Sequence, residues 1–398
     1  LFALWQLTQG DVASFAAPIW TSLQRHRPGQ AATSEIAGWQ AAFLRESDIH
    51  VSSRPDAQAT PVILFGHIDG SDRLRRDLSL PPDSTAADIY AHAHARYDGA
   101  TESRLSGNYC AVAIDPQGGL RIARSAWDAP PLYVFQRSGL CIVSPLVRLL
   151  QAAGAPTEPT PDRLRDALAF DFHEVDDTTI YPGIVRLPLG CSAHLDGEGL
   201  RYEYRYDPGT ITIAPIADRD AVERASRLLA TAVGEALEDC RDPAIALSGG
   251  LDSGLVAAHA ARHAGPRRLH TLTVRPHRLW RDGARGDSCD DEWPTAAAFA
   301  ACHDALIAHV VDDDDSDFDQ LAREIFASSR LFTPGLANIG MFVPLWRQAA
   351  RLGCDTILTA DLGNQGFSAS GNWTYAADLR RLALGRFAAN VLGQPDNA

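Results

Sequence analysis

From Arg219 onward, strand-length apolar runs alternate with helix-length ones, and no other feature limits so strongly what this chain can fold into. A helix over Arg219–Leu237 precedes the strand "PAIAL", and a Gly-rich loop leads from that strand into the helix "GLVAAHAARHA". Then follow a strand "LHTLTV", a helix near "EWPTAAAFAACH", a strand "LIAHVV", further helical stretches and a strand "DTILTA". Strands separated by helices of this length pair in parallel through right-handed crossovers, so this half is expected to be α/β. Ligands of such sheets sit beyond the carboxyl ends of the strands. The loops after Leu247, Val274 and Ala360 all fall at those ends.

The first 210 residues have a different rhythm. Short apolar runs ("PVILFGHID", "NYCAVAID", "LRIAR", "PLYVF", "LCIVS") are separated by Gly, Pro and Asp turns, which predicts stacked antiparallel strands. Helices are expected around Ala86–Tyr97 and Asp162–Phe170, and "YDPGTITIAPIAD" reads as a linker. The expected division is 1–210 and 215–398, and 398 residues are enough for two cores.

The net charge of −14 argues against nucleic acid as a partner, because such binding is driven by cations displacing counterions. No apolar run is long enough to span a bilayer and no signal segment opens the chain, so no membrane partner and a cytoplasmic location are expected. The seven Cys include no CxxC pair, which excludes a zinc site or disulfide framework of the usual spacing.

The loop "SGGLDSG" carries the chemistry. Gly249 and Gly250 let the backbone turn and present N–H groups to an anion. A helix expected to start at about Ser253 adds its positive end, and Asp252 can hold a Mg²⁺ that bridges phosphates. The Gly-Lys-Ser/Thr of a Walker A loop is absent, and every cation in the chain is Arg.

This loop resembles the pyrophosphate-binding loop of the ATP-pyrophosphatases, and its flanks look like the asparagine-synthetase branch. The resemblance implies a Rossmann-like C-terminal domain that splits ATP to AMP and pyrophosphate, activating a carboxylate for attack by an amine. It implies ATP and Mg²⁺ as cofactors, with Ser248, Gly249, Gly250, Asp252 and Ser253 on pyrophosphate and metal. Val274 falls where the family contacts adenine through its backbone, and Ala246 joins the nucleotide-binding set. In the first half "GHIDGSDRLRRDL", "LSGNYCAVAID", "IARSAWDAPPLYVF", "IVSPLVRLL" and "DTTIYPGIVRLPLG" are similar, in order, to the family's glutaminase-like, Ntn-type α+β sandwich. That domain normally begins with a nucleophilic Cys. Here the first Cys is Cys110 and "RHRPG" replaces the glutamine-binding loop, so glutamine hydrolysis is not expected.

A second loop, "LTADLGNQGFSASG", stands where the family has Leu-Ser/Thr-Gly-Glu-Gly-x-Asp-Glu. Asp361 takes the place of the Glu beside the reacting acyl group, Asn364 that of the Asp, and Gln365 that of the last Glu. Asp361 could orient or deprotonate an amine, whereas Asn364 could ligate Mg²⁺ only through its carbonyl. This version of the loop, with "DDEWPTAAAFA" and "PGLANIGMFVPLWRQAA", looks most like the synthetase-like cyclases of lasso-peptide biosynthesis. They close a macrolactam between a side-chain Asp or Glu and the N-terminal amine of a precursor peptide. The resemblance implies that peptide as substrate, with a leader-peptide-binding protein and a protease of the same pathway as partners. A ligase acting on a small molecule, of asparagine-synthetase or β-lactam-synthetase type, and a non-catalytic peptide-binding homologue are the alternatives. The family's late Lys has no counterpart, and a C-terminus continuing past Ala398 is the expected reason.

Overall fold

The computed structural model describes residues 2–7, 12–25, 31–36, 38–44, 49–52, 60–169, 176–212, 215–238, 240–277, 291–312, 317–332 and 335–361, with 363, 367, 378–380, 382–385 and 387–388. They form two compact units. Leu1–Ala214 with Asp315–Gly340 make the first, and Pro215–Asp314 with Met341–Ala398 the second.

The first unit holds twelve strands: β1 (Phe2–Leu7), β2 (Ala31–Ile36), β3 (Trp39–Leu44), β4 (Ile49–Val51), β5 (Val62–Ile68), β6 (Gly107–Ile114), β7 (Leu120–Arg124), β8 (Tyr133–Arg137), β9 (Leu140–Ser144), β10 (Ile184–Arg186), β11 (Cys191–Asp196) and β12 (Gly199–Arg205). They pair antiparallel in two six-stranded sheets, ordered β10-β8-β9-β1-β3-β2 and β12-β11-β7-β6-β5-β4.

Alternation along each strand sorts side chains between faces. In β1, Phe2 and Leu4 enter the core between the sheets, where they join Ile63, Val112 and Val143. Ala3 and Trp5 face the other way, toward Ile19 and Leu23 of α1 (Val12–Gln24). The opposite outer face packs Ile89 and Tyr90 of α3 (Ala86–Tyr97), which follows the short α2 (Ser71–Asp77). Helices thus flank a sandwich, the α+β layering expected. Between the sandwich and α3, buried Arg121 donates to both carboxylate oxygens of Glu102 at 2.9 and 2.7 Å and to the Tyr90 hydroxyl.

Two further helices lie in this part of the chain, α4 (Val147–Ala152) and α5 (Pro161–Ala169). α6 (Asp218–Glu238), α7 (Leu251–His263) and α8 (Trp293–Ala301) belong to the second unit. The chain then re-enters the first unit as α9 (Phe318–Ser329), an excursion that the strand–helix rhythm does not announce. Asp317 ends the acidic run "DDDDSD" and caps α9, accepting from the amides of Asp319 and Gln320.

In the second unit β13 (Pro243–Ala246), β14 (Leu269–Val274), β15 (Leu306–Val311) and β16 (Thr356–Leu358) form a parallel sheet ordered β15-β14-β13-β16. Ile245 and Leu247 face Val256 and Ala260 of α7 and Ala296 of α8. Ala244 and Leu272 face Leu345 and Ala349 of α10 (Ile339–Arg351). This is the predicted α/β sheet. Among the described residues, no helix is long and apolar enough to cross a membrane.

Candidate active site

The strand order contains a reversal. From β13 the chain moves through α7 to β14 and β15 on one side, and later inserts β16 on the other. Loops leaving β13 and β16 therefore diverge from adjacent strand ends and open a crevice between them, the place where open α/β sheets bind ligands. The register is held from below: the Asp355 carboxylate accepts from the amides of Arg241 (2.9 Å) and Asp242 (3.3 Å).

The two loops flanking this crevice are the ones that sequence reasoning singles out. After β13, the Ser253 hydroxyl takes the Ser248 amide at 3.1 Å and lies 3.0 Å from the Ser248 hydroxyl. The Ser248 hydroxyl in turn accepts from the Gly250 amide at 3.1 Å. Ser253 is buried, so these bonds make the turn a fixed ring. The buried Thr273 hydroxyl pins its root by donating to the Leu247 carbonyl at 2.7 Å.

α7 begins at Leu251, two residues before the expected start, with Gly250 as its N-cap. The Gly250 amide is thus used within the loop. The amides of Leu251, Asp252 and Ser253 have no acceptor within the helix and belong to its positive end. Gly249 and Gly250 are exposed above them. A Cβ on Gly249 would lie in ordinary contact with Glu292 Cβ at 3.4 Å and Thr295 Cβ at 3.5 Å. Glu292 and Thr295 thus form one wall of the loop. Neighbouring Asp291 has a structural task, pairing with Arg275 at 2.7 Å and accepting from the Trp293 amide.

The loop after β16 meets this ring at one point. A Cβ built on buried Gly363 would lie 2.9 Å from Asp252 Cγ and closer still to Oδ2, so any larger residue requires the Asp252 side chain or the second loop to shift. Asp361 is exposed just beyond β16. Asn364 and Gln365 lie outside the described residues, as does "RHRPG" after its Arg25. Val274 ends β14 opposite Val311 of β15, and Ala246 ends β13 opposite Leu272. Both are partly buried on the α10 face of the sheet.

Gly363, Thr273, Thr295 and Arg275 were not among the residues expected from sequence. Only Gly363 left a sign, as the glycine after "AD" in a loop otherwise divergent from the family pattern.

Residues 224–391 match the asparagine synthase family model. The matched segment covers less than half of the chain but contains both loops, and it makes the protein an ATP-dependent carbon–nitrogen ligase. No curated protein matches the sequence. Similar solved structures include the glutamine phosphoribosylpyrophosphate amidotransferase from B. subtilis complexed with ADP and GMP, at 10% identity, 78% coverage of this chain and 91% of that chain, and TM-score 0.36. Another is the glutamine-dependent NAD+ synthetase from Acinetobacter baumannii in complex with adenosine diphosphate, at 17% identity, covering 45% of this chain and 33% of that one, with TM-score 0.27. Likeness at this level carries no functional argument.

Proposed function

We propose that this asparagine synthase-type ligase adenylates a side-chain carboxylate of a peptide and closes a macrolactam with the peptide's own N-terminal amine. The observation that carries the reading is the Ser248–Gly250–Ser253 ring at the start of α7, set at the end of β13 beside the Asp361 loop that leaves β16. Burial pushes the thiols of Cys110 and Cys141 up to about 12 and raises that of Cys191. The thiolate is the nucleophile, so among the described residues the sandwich offers no cysteine suited to releasing ammonia from glutamine. An amine carried by the substrate meets that need.

In this reading the amides at the start of α7, with Ser248, Gly249, Gly250 and Ser253, hold the pyrophosphate as it leaves. Among the described residues no group of three His, Cys, Asp or Glu is arranged around a metal. A single carboxylate, Asp252, in the first turn of α7 suits Mg²⁺, which is commonly bound through one carboxylate and substrate phosphates. Asp252 would supply that carboxylate, Asn364 a carbonyl, and the ion would offset phosphate charge. Asp361, at the end of the neighbouring strand, orients the attacking amine or accepts its proton. Ala246 and Val274 stand at strand ends where an adenine can lie against the backbone. A precursor peptide is then the substrate, and a leader-binding protein and a protease act beside this enzyme.

The test is incubation of the chain with ATP, Mg²⁺ and candidate precursor peptides. AMP formation with loss of one water from the peptide, seen by mass, is the expected result, and Asp252→Ala should lower it at least a hundredfold, on the order of a lost charge-stabilising group. Amide formation from aspartate and free ammonia, with no change in any peptide, would overturn the cyclase reading.

A further inference from the structure

The first unit contains a cavity of about 740 Å³ bounded by α1, α4 and α9. Arg25 follows the end of α1, Arg148 lies in α4, and Arg330 caps α9 in the left-handed conformation at φ 65°. All three guanidinium-bearing residues line the same space. Their mutual repulsion is felt: burial first, then Arg330 and Arg25, lower the pKa of Arg148.

Among the described residues no carboxylate pairs with any of the three. Arg148 Nη2 donates to the Ser22 carbonyl at 3.2 Å, but its Nε–H is buried without a partner. Arg330 is positioned through its backbone instead, its carbonyl accepting from the Tyr181 hydroxyl at 2.6 Å. Three like charges converging on a cavity, with a buried donor unspent, cost free energy that an empty surface has no reason to carry.

The cavity lies within the usual size range for small-molecule sites, and its wall is mixed, with Pro18 and Phe326 beside the arginines. A monocarboxylate would neutralise one guanidinium. A phosphate group carries up to two charges and three acceptor oxygens, which match several Arg forks at once.

We propose that this cavity is a binding site for a phosphate-bearing small molecule, held by Arg25, Arg148 and Arg330 with its apolar part against Pro18 and Phe326. The site is separate from the synthetase loops. It also gives the excursion of residues 315–340 a use, because that segment supplies Arg330 and Phe326.

Calorimetric titration of the full chain with sodium pyrophosphate, without divalent metal, tests this. The Gly249→Glu variant serves as background, because it puts a carboxylate at the first loop and repels the anion there. Binding should persist in that background and weaken about tenfold or more in the double variant Arg25→Gln/Arg330→Gln, the scale of losing charge-assisted bonds. Arg25 is exposed and the Arg330 contact is a backbone one, so this variant keeps its fold. Arg148→Gln should in addition raise the thermal midpoint of the unliganded protein, and pyrophosphate should no longer raise it further. Equal pyrophosphate affinity with and without Arg25 and Arg330, or no binding to the Gly249→Glu chain, would overturn the proposal. So would binding of citrate to these arginines with none of pyrophosphate.

Discussion

At the scale of single residues, Gly363 matters because its lack of a side chain lets two loops share one carboxylate. Gly363→Ala puts a methyl group against Asp252 and must move its carboxylate or one of the loops. An error of about 1 Å in a reacting geometry can cost on the order of a hundredfold in rate. We expect kcat for AMP formation to fall at least tenfold on that scale, with the far-ultraviolet circular dichroism unchanged, since Gly363 lies in no α-helix or strand. An unchanged rate would show that the loops can part without consequence. The ring Ser248–Gly250–Ser253 was readable in sequence because its partners are within five residues of one another. The meeting of Gly363 with Asp252 was not, because it spans more than a hundred residues and depends on β16 lying beside β13.

Among the elements, those with a local signature were legible. α3 runs over Ala86–Tyr97 as expected, and Thr85 and Asp88 make a reciprocal capping box at its start. The synthetase strands likewise lie where their apolar runs placed them. α1 went unread because Pro18 sits inside it and breaks the usual helix pattern. Short or half-exposed strands such as β2 and β4 present too little alternation to stand out. The contacts between elements are where stability can be tested. Arg121 and Glu102 are both buried, their side chains 6% and 1% exposed. Burial alone would raise the Glu102 pKa, but hydrogen bonds and charge from Arg121 outweigh it and leave the pKa lowered. Arg121→Met strands a buried carboxylate and should cost about 3–5 kcal/mol in urea unfolding. Adding Glu102→Gln should recover much of that loss.

A second pair joins β14 to β15, where the His270 and His309 rings are 2.8 Å apart through Nδ1 and Nε2. Burial, then His270, lower the pKa of His309, so its folded value lies below its unfolded one. The contribution is intact above the ordinary histidine value of about 6.5 and declines as pH falls from there toward the folded value, because the unfolded chain takes up the proton first. His309→Gln should flatten the stability profile of the protein between about pH 6.5 and 5. A profile with the same slope in both proteins would exclude this histidine as the source.

On the scale of the whole molecule, the described residues form a unit with an α+β sandwich and a unit with a parallel sheet. The return of residues 315–340 to the first unit was illegible, since α9 has an ordinary amphipathic pattern that does not name the surface it will cover. The cavity was hidden for the same reason, its arginines lying at positions 25, 148 and 330. This return has a consequence for how the protein is made. A chain emerging from the ribosome usually folds domain by domain from its N-terminus. Here the first unit must wait, with the α1–α4 surface uncovered, until α9 has been synthesised behind three strands of the second. A nascent chain stalled before residue 315 carries Arg25 and Arg148 but not Arg330 of the three cavity arginines.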